Sequence, residues 1–173
     1  LFLGTGGIPG LDNMQKFKGV QPRGWPKGSS WDDVGGAYNP NTKMVIAGDT
    51  GRGHGPTDST ALHETGHAIG DHLGYDRDPR VKEAHKKMYA KLPPYLKQGG
   101  PGGKAGVEEF VAEAFAATVL DRKAAVRMYG ADMVKVMEEA HQGKQAQSGR
   151  KKAAPKAKAA AVSHDDDEGI FIP

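Results

Sequence analysis

The sequence predicts a mixed α+β domain in which a small sheet packs on several helices. The short run Lys43–Gly48 is apolar and partly β-branched, which is typical of a strand. Apolar side chains recur at helical spacing between 106 and 120. Helix-capping residues and glycine stops punctuate the chain between 58 and 141. With 173 residues, the chain has the size of one ordinary domain.

The sheet is predicted in the first half of the chain. Residues 1–24 are rich in Gly and Pro, so we expect irregular structure there, ordered only where it packs on the rest. A strand between Trp31 and Tyr38 is expected to pair with Lys43–Gly48. We expect Lys43–Gly48 to be the edge strand, with backbone groups available to hold an extended peptide. A polar glycine loop, 49–56, follows.

The second half of the chain is predicted to be helical. Each helix is placed by a capping residue or by the periodicity of its apolar side chains. The predicted helices run from Asp58 or Ser59 to about Leu73, from Asp78-Pro79 to about Leu92, from 106 to 120, and from Asp121 to about His141 with a break at Gly130 and Asp132 as a second cap. A glycine-rich connection, 98–106, precedes the third helix. We expect that helix to be amphipathic, with one apolar face and one polar face.

Composition divides the chain into a domain at 1–143 and a tail at 144–173. Residues 1–20 are expected to be loosely ordered. The tail combines Lys-Ala-Pro repeats with an acidic run, which predicts disorder, although Ile170–Ile172 could serve as a short docking segment. The chain begins at Leu1 without a leader pattern. We therefore expect a domain cut from a larger polypeptide that is secreted or delivered into a target cell.

Composition and charge exclude several classes of function. The chain has no cysteine, which excludes disulfide scaffolds, thiol nucleophiles and thiolate metal sites. Its formal net charge is +3, and residues 1–143 carry 18 cations against 17 anions, so no basic stripe for nucleic acid is present. No apolar run approaches the ~18 residues of a spanning helix, which predicts no membrane-spanning segment.

The chemistry of the chain centres on His63-Glu64-Thr65-Gly66-His67. Two histidines at positions i and i+4 project from the same face of a helix, so both imidazoles can reach one metal ion. Glu64 is close enough to hold and deprotonate a metal-bound water without being a ligand. The sequence therefore predicts a catalytic zinc site, in preference to an exposed helical face with polar histidines.

Two histidines leave a catalytic zinc one protein ligand short. A third histidine would be required at position 73, where the chain has Leu73, and His72 lies one residue early, about 100° around the helix. A better donor is the downstream pair Glu109 and Glu113, also spaced i and i+4. One carboxylate can bind the metal while the other accepts a hydrogen bond from a ligand histidine. Glu108 competes, but its i+4 position is an alanine.

An ordered series of motifs between about 20 and 120 resembles the catalytic domain of anthrax-lethal-factor-like peptidases, a group that includes the secreted Pro-Pro endopeptidases. The motifs are Pro22-Arg23-Gly24-Trp25, Trp31-Asp32-Asp33-Val34 with Gly35-Gly36, Met44–Gly48, Gly53-His54-Gly55, Leu62–His67 and Glu109–Phe115. The resemblance implies a zincin-like metallopeptidase fold of the gluzincin type. It also implies His63, His67 and Glu109 as Zn²⁺ ligands, Glu64 as general base, and Glu113 as the carboxylate behind a ligand histidine.

The chain departs from this family at one catalytic position. The family usually places a tyrosine seven residues before the ligand glutamate, where its hydroxyl stabilises the oxyanion, and here that position is Gly102. Tyr95 could take the role if the glycine-rich connection is simply longer.

These observations predict a zinc endopeptidase that acts on an extended protein or peptide substrate. In a toxin or effector, it could have a cognate inhibitor or immunity protein. Two alternatives stay open: a zinc-stabilised, non-hydrolytic binding module of a larger toxin, and an interaction domain without metal.

Overall fold

The sheet lies at the N-terminal end of the fold. The computed structural model describes residues 2–4, 18–21, 27–48 and 57–147. Its strands are β1 (Phe2–Gly4), β2 (Gly36–Asn39) and β3 (Met44–Gly48), and their order in the sheet is β1-β3-β2. β3 pairs antiparallel with β2, from Gly36 opposite Ala47 to Asn39 opposite Met44, as the sequence predicted.

β3 is the central strand of the sheet, so its prediction as the edge strand was wrong. β1 pairs parallel with its other side, with Phe2 opposite Ile46. The error has a physical cause. A parallel pairing joins segments that are distant in sequence, and the glycine-rich start of the chain carries no strand pattern. Phe2–Gly4 nevertheless forms a strand where we expected irregular structure.

Five α-helices make up half of the described residues. They are α1 (Thr60–Leu73), α2 (Pro79–Met88), α3 (Lys104–Leu120), α4 (Arg122–Tyr129) and α5 (Ala131–His141). Short 3-10 turns lie at Trp31–Asp33, Tyr75–Arg77, Tyr89–Lys91 and Pro94–Lys97. None of the helices in the described ranges has both the length and the apolar character needed to cross a bilayer.

The helix boundaries follow the local signals in the sequence. Ser59 caps α1 by accepting a hydrogen bond from the Leu62 backbone N–H, and Gly74 ends the helix in a left-handed conformation. Asp121 caps α4 with two such bonds. α5 begins directly after Gly130, so Asp132 lies within its first turn and is not its cap.

α3 is the centre of the hydrophobic core, and its prediction as an amphipathic helix was wrong. Its residues from Phe110 to Thr118 are all buried, because other helices pack around it. Smaller apolar contacts lie beside the sheet, where Trp31 and Ala37 pack on Val34 and Ile46. A helix enclosed on all sides shows no single apolar face, so Glu109 and Glu113 do not lie on a solvated acidic face.

The packed chain continues beyond the predicted boundary at 143. The Ala146 backbone N–H donates to the Leu73 carbonyl at 2.9 Å, and Ala146 is fully buried. The Tyr75 hydroxyl donates to the Lys144 carbonyl. Residues 144–147 therefore belong to the fold, whereas 148–173, including Ile170–Ile172, lie outside the described residues.

Candidate metal and catalytic site

Helix α1 presents His63 and His67 toward the same point. Their Nε2 atoms are 3.1 Å apart, and their rings meet edge to face with centroids separated by 4.8 Å. His63 is buried and His67 is half-buried. The spacing of one helical turn therefore has the effect predicted from the sequence.

Glu109 of α3 completes a group of three ligand atoms. Its Oε2 atom is 3.2 Å from His63 Nε2 and 3.3 Å from His67 Nε2. Tetrahedral zinc, with ligands about 2.0–2.1 Å away, separates its ligand atoms by about 3.4 Å, so the observed triangle fits a single divalent ion. Among the described residues, this is the group of histidine and acidic side chains that could hold a metal ion.

Two glycines of α1 allow the two helices to approach so closely. A Cβ atom on Gly66 would lie 2.7 Å from the Ala112 Cα atom, a distance that real structures essentially never show. A Cβ atom on Gly70 would lie 3.0 Å from Val111 Cγ1. The sequence analysis assigned Gly66 no role, although an isolated glycine within a helix often marks close packing.

Glu113 lies behind His63 and is fully buried. Its Oε1 atom is 2.9 Å from His63 Nδ1, and its Oε2 atom accepts a hydrogen bond from the Thr57 backbone N–H at 3.0 Å. A proton on Nδ1 facing this carboxylate leaves the Nε2 lone pair directed at Glu109. Glu113 thus orients His63 and also anchors the chain that leads into α1. The contact with Thr57 was not predicted from the sequence.

The carboxylate cluster changes the proton affinities of its members. Burial lowers the pKa of His63, but contacts with Glu109 and Glu113 outweigh burial and raise that pKa to about 10. Burial raises the pKa of Glu109, yet contacts with His63, His67 and Tyr95 bring it far below its ordinary range. A position that attracts a proton so strongly also attracts a divalent cation.

Glu64 lies beside the triangle and is mostly buried. Burial, with a further contribution from Glu109, raises the pKa of its carboxyl, although His67 and His63 act in the opposite direction. The Tyr38 backbone N–H of β2 hydrogen-bonds to this carboxylate. A Cβ atom on Gly36 would lie 2.9 Å from Glu64 Cγ, so this glycine lets the strand approach the Glu64 side chain closely.

Tyr95 reaches the site. Its hydroxyl donates to Glu109 Oε2 at 2.5 Å, and its ring centroid is 6.3 Å from that of His63. Burial and the Glu109 carboxylate raise the pKa of the phenol far above its ordinary value, so the phenol keeps its proton at neutral pH. Gly102, where the family pattern would place the tyrosine, lies in the glycine-rich connection that follows Tyr95.

Two alternative residues do not join the triangle. His72 is exposed on α1, one position away from Leu73, which is buried. The Glu108 carboxylate lies 3.7 Å from the ammonium group of Lys104. The motifs at Pro22–Trp25 and Gly53–Gly55, His54 included, lie outside the described residues.

An open cleft of about 500 Å³ lies above these side chains. One wall is β2 with its flanking residues, and the floor is α1 and α3. The residues of the site that line it are His63, Glu64, His67, Tyr95 and Glu109. A molecule in the cleft would therefore contact the ligand triangle, the buried carboxylate and the phenol together.

Comparisons with known proteins agree with this geometry. The sequence pattern of the family described as "Anthrax toxin lethal factor, N- and C-terminal domain" matches residues 3–138. A Pro-Pro endopeptidase of Clostridioides difficile (strain 630) is 38% identical over 104 residues, which are 58% of this chain and 44% of that protein. The chain thus spans less than half the length of that relative.

The fold has a counterpart among solved structures. The structure of the Pro-Pro endopeptidase from Paenibacillus alvei superposes with a TM-score of 0.56 at 22% identity, covering 79% of this chain and 75% of that chain. This likeness confirms the predicted zincin-like α+β fold. The match to the family likewise confirms the resemblance seen in the sequence motifs.

Proposed function

The chain belongs to the anthrax toxin lethal factor domain family, and on that premise we propose that it is a zinc-dependent endopeptidase. The observation that carries the proposal is the convergence of His63, His67 and Glu109 within 3.1–3.3 Å of one another. This triangle opens into a cleft that also contains Glu64. Structural zinc sites are closed by four protein ligands, whereas a site with three protein ligands that opens into a cleft is typical of catalysis.

Zinc is the metal that we propose for this donor set. Two imidazoles and one carboxylate are the protein ligands of many catalytic zinc sites, and bound zinc would polarise a substrate carbonyl and lower the pKa of a coordinated water. The protein residues do the rest of the chemistry. Glu113 keeps His63 in the tautomer that directs Nε2 toward the other ligands.

Glu64 is proposed as the general base and general acid. Burial raises the pKa of its carboxyl, which brings it closer to the range in which a carboxylate can both accept and return a proton. It would take a proton from the attacking water and deliver it to the leaving amine. The contact with the Tyr38 backbone holds the carboxylate in place while it does so.

Tyr95 is proposed as the donor to the oxyanion. Its phenol stays protonated and already points at Glu109 Oε2, within the ligand triangle. A phenol has one proton to donate, so on substrate binding the hydroxyl would turn from Glu109 to the substrate oxygen, where it would stabilise the negative charge that develops. Replacing Tyr95 with Phe should lower kcat about a hundredfold, in the range measured for the loss of one such donor.

The substrate is proposed to be a peptide in extended form, held by β2. The Gly48 N–H donates to the Gly35 carbonyl, so the alternation along an antiparallel strand directs the backbone groups of Gly36 and Tyr38 away from β3. Because the Tyr38 N–H faces Glu64, the groups open to a peptide are the Gly36 N–H and carbonyl and the Tyr38 carbonyl. Both residues line the cleft. A peptide could add to this edge by main-chain hydrogen bonds, so β2 takes the role that the sequence analysis gave to β3.

Glu64→Gln tests the proposal. We expect the wild-type protein with one zinc per chain to cleave members of a peptide library that includes Pro-Pro bonds, because two relatives are named for that specificity. A chelator should stop cleavage, and added zinc should restore it. Glu64→Gln should lose about 10³-fold or more in kcat, since general acid–base catalysis contributes about 10²–10⁴, and it should keep its zinc.

The matched control is Glu108→Gln, which removes another carboxylate of the same cleft and should leave kcat nearly unchanged. Wild-type activity in Glu64→Gln would refute its role as the base. Zinc binding without any cleavage would instead favour the non-hydrolytic binding module. That alternative rested on the missing tyrosine at position 102, and the position of Tyr95 weakens its basis.

The biological setting is also part of the proposal. We propose a secreted or delivered toxin or effector domain, controlled in the producing cell by a cognate inhibitor protein. Secretion would be tested by locating the protein in culture fractions, and an inhibitor by co-purification from the producing cell.

A further inference from the structure

We propose that His85 is a positioning residue that holds Tyr95 at the ligand triangle. His85 is fully buried on α2 and lies outside the group of metal ligands. The inference rests on the proposed function, because it assigns a role to the segment that carries the proposed oxyanion donor. We call residues 94–97 the Tyr95 segment and residues 98–103 the glycine loop.

The two ring nitrogens of His85 bind backbone groups just before the glycine loop and near its C-terminal end. Nδ1 accepts a hydrogen bond from the Gly102 N–H at 2.9 Å. Nε2 therefore carries the ring hydrogen of a neutral imidazole and donates to the Leu96 carbonyl at 2.8 Å. Leu96 directly follows Tyr95, so one side chain fixes the chain next to the phenol and the end of the loop that leads into α3.

The glycine loop needs such a closure. Gly99, Gly100 and Gly102 all have positive φ angles, between 73° and 83°, which lets the chain turn back tightly but leaves it intrinsically mobile. Tyr95 precedes Glu109 by fourteen residues, twice the usual family spacing. The bridge made by His85 brings the two ends of the extra chain together, so the phenol can still reach Glu109.

The His85 ring is closely packed. The ring meets Tyr89 and Phe110 edge to face, with centroid distances of 5.7 and 5.4 Å. A Cβ atom on Gly106 would lie 2.7 Å from the Leu96 carbonyl oxygen and 3.1 Å from His85 Nε2. Phe110 directly follows Glu109, so the ring contacts both segments whose side chains meet at the site.

The test compares His85 variants that keep either the aromatic ring or one of the two hydrogen bonds. His85→Phe keeps the aromatic packing and loses both hydrogen bonds. We expect kcat to fall about 10- to 100-fold, the range for small misplacements of a catalytic group, with KM within threefold of the wild type.

His85→Gln, whose amide nitrogen can reach the Leu96 carbonyl, should recover more of kcat than His85→Asn, which can bind only Gly102. Val81→Ala is the control for lost stability, because it creates a cavity at a buried position of the same helix. It should leave kcat unchanged.

The double variant separates positioning from a general structural effect. In a Tyr95→Phe background, the loss caused by His85→Phe should shrink to less than about threefold, because residues that act as a unit are non-additive. The same fold loss in both backgrounds would overturn the proposal. So would kcat within twofold of the wild type in both His85→Phe and His85→Asn. If His85→Phe does not fold, the comparison of His85→Gln with His85→Asn decides.

Hydrogen exchange gives a readout that does not depend on activity. In His85→Phe and His85→Asn, the amides of the Tyr95 segment and the glycine loop should exchange at least about tenfold faster, while those of α1 keep their protection. If the wild-type protein with zinc cleaves no peptide, the proposed function fails. Hydrogen exchange then tests by itself whether His85 holds the Tyr95 segment and the glycine loop together. Unchanged exchange in both variants would overturn the role of His85 whatever the activity.

Discussion

Two clusters of charged and polar side chains, both largely buried, differ in how their hydrogen-bond donors and acceptors are arranged. We call His63, His67 and Glu109 the Glu109 cluster, and Asp78, Arg80 and Glu139 the Asp78 network. In the Asp78 network, donors face acceptors: Arg80 donates to Asp78 and to Glu139 at 2.9 Å, and the Gln147 backbone N–H donates to Asp78 at 3.1 Å. In the Glu109 cluster, two imidazole nitrogens and a carboxylate oxygen converge on one point.

The difference distinguishes a cluster that could hold a metal ion from one that needs none. Paired charges satisfy one another, so the Asp78 network holds the fold and fastens 144–147 to it without any partner. Lone pairs that face one another at 3.1–3.3 Å are satisfied only by a proton or a cation between them. Close spacing of acidic and basic groups therefore indicates function only where donors and acceptors do not match.

The largest effect is expected from removing the ligand oxygen of the Glu109 cluster. Glu109→Gln keeps the shape of the side chain but replaces a carboxylate with a weak metal ligand. We expect bound zinc to fall well below one per chain and kcat/KM to fall about a thousandfold, since the metal contributes several kcal/mol to transition-state stabilisation. Metal analysis and peptide cleavage measure both quantities. Normal zinc content would contradict the assignment, and Glu108→Gln is the control.

A substitution in the Asp78 network should lower the stability of the protein and leave its zinc content unchanged. Asp78→Ala leaves the guanidinium of Arg80 without its main partner and releases the Gln147 N–H. We expect the free energy of unfolding to fall by about 3 kcal/mol, the lower end for a broken buried pair, because the Arg80 side chain is 28% exposed. Urea unfolding measures the loss. A stability equal to that of the wild type would show that the network does not anchor the fold.

A third substitution tests the helix contact that builds the Glu109 cluster. Gly66→Ala places a methyl group against the backbone of Ala112, so α1 and α3 must separate. We expect a loss of about 2 kcal/mol from overpacking, together with weaker zinc binding. Gly70→Ala is the matched control, since its methyl group meets only the Val111 side chain, which can shift. Equal zinc affinity in the two variants would count against this role of Gly66.

The smallest expected effect is the pH dependence of the Asp78 network. Burial raises the pKa of Asp78, but hydrogen bonds from Arg80 and Gln147 outweigh it and hold the pKa below the ordinary value of 3.8. A carboxyl whose pKa is lower in the folded state stabilises the fold at pH values above its pKa in the unfolded state. This stabilisation is lost as the pH falls through the pKa of the folded state. Asp78→Asn should therefore show a shallower loss of stability than the wild type below about pH 4. Identical acid unfolding curves would exclude the contribution.

Local signals predicted much of the fold correctly. The N-cap at Ser59, the glycine stop at Gly74 and the cap at Asp121 depend on backbone groups within a few residues, so their effect is readable from the chain. The spacing of His63 and His67 likewise depends only on helix geometry. The pairing of β2 with β3 follows from a short connection between adjacent strands.

Contacts between distant segments were harder to predict. The position of β3 in the centre of the sheet required β1, whose pairing partner lies more than forty residues away. The burial of α3 depended on α1, which precedes it in the chain, and on α4 and α5, which follow it. No role was predicted for His85 from the sequence, because its two hydrogen-bond partners come from the Tyr95 segment and the glycine loop, further along the chain.

The sequence by itself determined the spacing of the two imidazoles and of the Glu64 carboxylate proposed as the base, since a single helical turn sets it. It also determined the candidates for the third ligand, because carboxylates at i and i+4 stand out on a helix. Tertiary structure alone decided how close α1 and α3 come, which strand edge faces the cleft, and whether the phenol of Tyr95 reaches Glu109. These features depend on long-range packing and loop closure, in which each residue is placed by partners far away along the chain.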